Sequence, residues 1–222
     1  MRRIAALVVS VMAFAGGCSQ PADDHATRTS PNSIRADSAA RARQDSINRT
    51  LPGYVVDSIL PVDEELRRFR AAAGGATVAG FRGGSDTPDK LVRRFMRAVA
   101  KQDTAELRSM LLDAHEFGDL VYPESPYTHA PYRQPPGLVW NQIQNRSVSG
   151  LTRLVRRLGG QPLGYVSYKC EPRPDRQGRN LIWTGCIVRV IDRQGEVTRH
   201  RLFGSVIQRD NQFKFVSYSN EF

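Results

Sequence analysis

Gly159-Gly160-Gln161-Pro162-Leu163-Gly164-Tyr165-Val166-Ser167-Tyr168-Lys169-Cys170 is where the apolar pattern of this chain changes period. Upstream, Val139, Trp140, Ile143, Val148, Leu151, Leu154, Val155 and Leu158 fit one helical face, and the glycine pair stops it. Downstream, apolar residues alternate. Leu163–Cys170, Leu181–Ile191, Val197–Gln208 and Phe213–Ser219 read as four strands, with turns at Glu171–Asn180, Asp192–Gly195 and Arg209–Gln212. Short turns between consecutive strands imply an antiparallel meander. Helices followed by sheet is the order of an α+β domain.

Two more helices precede this point. Thr87-Pro88-Asp89 combines an N-cap, a proline at the first helical position and an acidic first turn. Leu91, Val92, Phe95, Met96 and Val99 form the apolar stripe behind it, opposite Arg93, Arg94, Arg97 and Lys101. Asp103 with Glu106 resembles a capping box and opens the second helix, with Leu107, Met110 and Leu111 inward. The expected domain is 87–222, with three helices packed on a curved antiparallel sheet of four or more strands. Before it, 51–86 reads as an apolar cluster (Tyr54, Val55, Val56, Ile59, Leu60), a short helix and a glycine hinge. In that helix Val62, Leu66, Phe69 and Ala73 share a face, and Asp63, Glu64 and Glu65 occupy the first turn.

The N-terminus carries an address. Arg2 and Arg3 precede an apolar run from Ile4 to Phe14, then Ala15-Gly16-Gly17-Cys18. The run, about 11 residues, is short of the roughly 20 needed to span a bilayer. The pattern is that of an export signal over 1–17. Ala15-Gly16-Gly17-Cys18 resembles the lipobox of bacterial lipoproteins, which implies lipidation at Cys18. Ala13-Phe14-Ala15 also fits ordinary signal cleavage, which would leave a free thiol in a secreted or periplasmic protein. Cysteine parity favours lipidation, because Cys170 and Cys186 can pair with each other and Cys18 is left over. Ser19, by resemblance to lipoprotein sorting, implies the outer membrane. Residues 18–50, rich in Ser, Asp, Ala and Arg, read as a disordered tether.

The formal charge of +10 is unevenly placed. Residues 19–86 carry nine Arg against nine Asp or Glu, while 87–222 carry 21 Lys or Arg against 13 Asp or Glu. That balance suits anionic surfaces such as lipid headgroups or cell-wall polymers, and equally a plain solubilising surface. No nucleic-acid motif is present, and nucleic acid is not an expected partner of an exported protein.

The order of elements in 87–222 resembles the nuclear transport factor 2-like cone of polyketide cyclases and ketosteroid isomerases. Three features carry the likeness. They are Leu91–Leu112 with Asp103 at the helix break, the third helix ending at Gly159-Gly160, and the closing hairpin Arg201–Ser219. The resemblance implies helices packed into the concave face of a cystatin-like roll. It transfers no catalytic residue, since no Asp, His or Tyr here matches those enzymes position by position. Fold alone does not license function.

Within the domain, a hairpin turning at Gly178 places Cys170 opposite Cys186, and export supplies an oxidising compartment. The expected disulfide closes a loop of about 15 residues. Residues 115–136 hold His115, Glu116, Tyr122, Tyr127, His129 and Tyr132 among five prolines. Glu116, Tyr122, Tyr127, His129 and Tyr132 are the candidate pocket rim. A structural loop that covers helix ends is the competing reading. The histidine spacing matches no tight metal site, and no phosphate loop, nucleophile elbow or zinc-protease helix occurs. No metal or cofactor is expected. The leading functional expectation is a non-enzymatic envelope lipoprotein that binds a small apolar ligand or a protein. The alternatives are a cyclase- or isomerase-type enzyme with a carboxylate base in the cone, and a cell-wall or assembly accessory.

Overall fold

The computed structural model describes residues 31–48, 50, 60–161 and 163–221. The export signal, Cys18 and the cluster Tyr54–Ile59 lie outside the described residues. The chain divides into two compact units, Met1–Ser58 and Ile59–Phe222.

In the first unit, α1 spans Pro31–Asn48. This part of the segment expected to be an unstructured tether is helical. Ala39, Ala40, Ala42 and its Arg and Gln residues have high helix propensity, which outweighs the polar composition of the segment. The helix lacks an apolar stripe, and Ile47 is exposed.

In the second unit, α2 (Val62–Ala72) buries Leu66 and sets Phe69 edge-on to Phe117 at 5.6 Å and to Trp140 at 6.5 Å. The following glycine-rich stretch, expected to be a hinge, is pinned. Ser85 bridges Phe213, Phe81 is buried, and Arg94 Nη1 donates to the carbonyls of Gly83 and Gly84. Its glycines serve close approach: a Cβ on Gly84 would lie 2.7 Å from the Phe213 carbonyl oxygen. The unit therefore begins well before Thr87, the expected boundary.

Helix α3 (Pro88–Lys101) starts where Thr87 Oγ1 accepts from Lys90 N, and it buries Leu91, Val92, Phe95, Met96, Ala98 and Val99. Asp103 caps α4 (Thr104–Ser109) through Glu106 N at 2.9 Å. Glu106 itself turns to Arg94 (2.8 Å), so the capping box stays half formed. A one-turn α5 (Ala114–Glu116), a π-turn (Phe117–Val121) and two 3-10 turns (Tyr122–Glu124, Pro126–Thr128) lead to α6, Pro136–Leu158. Val148, expected inside, is 62% exposed, and Ser147 and Gly150 face inward instead. The reason is a close crossing: a Cβ on Gly150 would lie 1.6 Å from the Tyr218 carbonyl oxygen.

The four expected strands are six shorter ones, and a seventh, Asp175–Gln177, lies within the expected turn Glu171–Asn180. The seven are β1 (Gly164–Lys169), β2 (Asp175–Gln177), β3 (Asn180–Trp183), β4 (Ile187–Ile191), β5 (Val197–His200), β6 (Val206–Arg209) and β7 (Gln212–Phe215). They form two antiparallel sheets, ordered β1-β4-β5 and β2-β3-β6-β7. The chain passes between the sheets at 170–174, 184–186 and 201–205. Gly185, at φ +61°, makes the break inside the second expected strand. Period-two alternation survives such a break, so the pattern alone reads it as one strand.

The first core joins α3, α6 and both sheets. Phe95 meets Phe203, Phe215 and Tyr218 with ring centroids 5.4–5.5 Å apart. Full burial of each such side chain stabilises by about 1.5–3 kcal/mol. A second core, with Leu66, Phe117, Tyr122, Val139 and Ile207, lies under α2 and the π-turn. Val206 belongs to the first core and Ile207 to the second, so the four-stranded sheet is covered on both faces. Among the described residues no helix is long and apolar enough to cross a membrane.

Candidate functional site

The residues expected to form a pocket rim have separate structural roles. The double covering of the sheet explains Glu116. Phe213 and Phe215 of β7 enter the first core, so Lys214 between them points into the second. There its ammonium meets Glu116 Oε2 at 2.7 Å. Glu116 also accepts from the Asp113 and Arg82 N–H groups, completing the capping box of α5. The Tyr122 ring is fully buried and its hydroxyl donates to the Gln134 carbonyl at 2.7 Å. Burial first, then the Glu65 charge, raises its pKa. Tyr127 packs on the edge of the second core. His129 Nδ1 lies 2.7 Å from Thr128 Oγ1 on the surface, and Tyr132 is 65% exposed. Glu116 and Tyr122 are thus committed to partners within the fold, while His129 and Tyr132 lie at the surface. The structural-loop reading describes Glu116 and Tyr122.

A neighbouring carboxylate is equally engaged. Glu124 receives both terminal nitrogens of Arg209 at 3.1 Å, the Arg179 N–H at 2.7 Å and Asn180 Nδ2 at 3.2 Å. His115 Nδ1 is 3.0 Å from the Ala76 carbonyl. Among the described residues no group of three or more His, Cys, Asp or Glu is placed to hold a metal ion.

A cleft lies where the chain crosses between sheets, beside the disulfide. Register sets it up: Lys169 pairs with Ile187, so Cys170 and Cys186 stand opposite. They are bonded, with an S–S distance of 2.00 Å. The cleft, about 370 Å³, has a floor of Trp183, Val206 and Phe213. Pro88, Tyr168, Cys170 and Pro172 make its walls, and Lys169, Glu171 and Gln208 its polar edge. Glu171 is held in place: its N–H donates to the Thr184 carbonyl, and its Oε2 accepts from Thr184 Oγ1, both at 2.9 Å. Burial first, then the charge of Asp89, raises the Tyr168 pKa. The Trp183 indole Nε1–H is buried without an acceptor among the described residues. Such an orphan costs about 1–3 kcal/mol and is uncommon in a settled core.

This arrangement is chemically suited to holding an apolar body with a polar end. It is not legible in the sequence, because its lining comes from α3, four strands and a turn. The one legible signal was the cysteine pair. Comparison of the chain with protein-family models, curated proteins and solved structures finds no match.

Proposed function

We propose that this protein is a bacterial envelope lipoprotein, anchored through Cys18, whose second unit binds a small apolar ligand or an apolar protein segment without catalysis. The observation that carries the binding reading is the cleft beside Cys170–Cys186, floored by Trp183 and Phe213, the Trp183 indole N–H being buried without an acceptor among the described residues. The address rests on the export pattern and cysteine parity; the disulfide engages the other two of the chain's three cysteines. Outer-membrane placement follows from Ser19 by the sorting resemblance.

The cone-like arrangement belongs to the same reading. Both sheets supply residues to one core against α3 and α6, and the chain crosses between them at three neighbouring places. This supports a single strongly bent sheet wrapped on helices. Its interior is filled by Phe95, Phe203, Phe215 and Tyr218, which favours a ligand at the cleft over one deep in a cone. The buried carboxylate of Glu116 is tied to Lys214, which weighs against its use as a base.

Two experiments test the proposal. Fatty-acid labelling in cells is expected to mark the parent and not Cys18→Ala; label persisting in the mutant would remove the anchor. Titration with N-phenyl-1-naphthylamine, a neutral apolar fluorophore, is expected to saturate at one site. Gln208→Trp, which fills the cleft edge, is expected to weaken it at least about tenfold, or 1.4 kcal/mol. Unchanged binding would reject the cleft.

A further inference from the structure

The outer face of β1-β4-β5 carries cations without side-chain partners among the described residues. Register sets Arg189 of β4 directly opposite Arg199 of β5 on one side and Ser167 of β1 on the other. Lys169 follows two residues after Ser167, on the same face. These residues line a second cleft of about 370 Å³ with Ile187 and Val197. Among the described residues none of Lys169, Arg189 and Arg199 has a side-chain hydrogen bond or ion pair. Other arginines of this unit that face carboxylates are matched, Arg93 with Asp89, Arg201 with Glu221 and Arg209 with Glu124. Like charges directly opposite across two strands destabilise a sheet. The nearby Asp192 makes no ion pair with them among the described residues; its Oδ1 accepts from the Gln194 and Glu196 N–H groups, both at 2.9 Å.

The same face continues into an apolar pair. Ile191 stands opposite Val197, two residues along from the arginines, and these side chains are 41% and 48% exposed. A guanidinium pair beside an exposed aliphatic pair matches the boundary of an anionic bilayer, with phosphates at the arginines and aliphatic groups at the acyl edge. We propose that this sheet face docks on a membrane surface rich in anionic phospholipid. The proposal rests on the envelope address above, which places such a surface within reach, but its test does not depend on the anchor.

The full chain carrying Cys18→Ala is assayed by co-sedimentation with vesicles, so that no acyl chain on the protein contributes. Phosphatidylcholine vesicles are compared with vesicles in which about a third of the lipid is phosphatidylglycerol. Preferential, salt-sensitive binding to the anionic vesicles is expected. Arg189→Gln/Arg199→Gln in the same chain should lose about tenfold or more in affinity, and Ile191→Ser/Val197→Ser should also bind more weakly. Arg189→Lys/Arg199→Lys keeps the charge and should retain most of the binding. All four positions are exposed, and an unchanged unfolding midpoint confirms that each variant is folded. Equal binding to both vesicle types, or parent-like binding by the Gln pair, would overturn the proposal. Loss in the Lys pair equal to that in the Gln pair, or full competition by inorganic phosphate at matched ionic strength, would also overturn it. Either would mark a discrete small-anion site instead of a docking face.

Discussion

Lys214 Nζ lies 2.7 Å from Glu116 Oε2, with the lysine side chain 2% and the glutamate side chain 0% exposed. The partners are 98 residues apart in sequence, and the pair fastens β7 to the turn before the π-helix. Removing one partner leaves the other charge buried alone. Lys214→Met is expected to cost about 3–5 kcal/mol in urea unfolding. Glu116→Leu/Lys214→Met removes both charges and should lose less than Lys214→Met alone. A double variant less stable than that single would show that the pair's charges are not what the core depends on.

The Cys170–Cys186 bond closes a loop with a sequence separation of 16. Cys170→Ala/Cys186→Ala should lower unfolding free energy by about 3 kcal/mol, chiefly by freeing the unfolded chain. Intact mass should rise by two hydrogens on reduction of the unfolded parent; an unchanged mass would exclude the bond.

Within α6, two glycines make opposite demands. Gly150 meets the Tyr218 backbone, whereas a Cβ on Gly137 would meet nothing within 4 Å. Gly150→Ala is therefore expected to cost at least about 2 kcal/mol by forcing the helix off the C-terminal segment. Gly137→Ala should be neutral or stabilise by up to about 1 kcal/mol. Equal effects in thermal unfolding would contradict the crossing.

The buried Tyr218 hydroxyl donates to the Leu107 carbonyl at 2.6 Å, and burial raises its pKa well above 10. A raised folded-state pKa means that folding favours the neutral phenol. Its contribution to stability is complete below pH 10 and falls as pH climbs above that unfolded value. Tyr165 acts in the same direction, raised by burial and by its hydrogen bond to Asp89. Stability should therefore decline above pH 10, and less steeply in Tyr218→Phe. Identical alkaline profiles for parent and variant would show that Tyr218 is not the sensitive group.

Local signals in the sequence were reliable where the physics is local. Thr87 and Asp103 cap their helices, and Gly159 follows α6, because a cap needs only residues within a turn. The disulfide was legible too, since cysteine numbering fixes hairpin register. What failed depended on distant partners. Val148 looked like core until α6 had to cross the Tyr218 backbone. Tyr122 and Glu116 looked like a ligand rim, but Gln134 and Lys214 claim their polar atoms. The cleft itself needs β1 of one sheet brought beside β3, β6 and β7 of the other, and that adjacency is topology rather than pattern.

The indole N–H resonance of Trp183 offers the most direct test of the binding cleft. The chain has two tryptophans, and Trp140 lies in the second core, away from the disulfide. In a nitrogen–proton correlation spectrum, titration with N-phenyl-1-naphthylamine is expected to shift the Trp183 indole signal saturably and leave that of Trp140 in place. A Trp183 signal that stays fixed while the fluorophore binds, or two signals that move equally, would contradict the account.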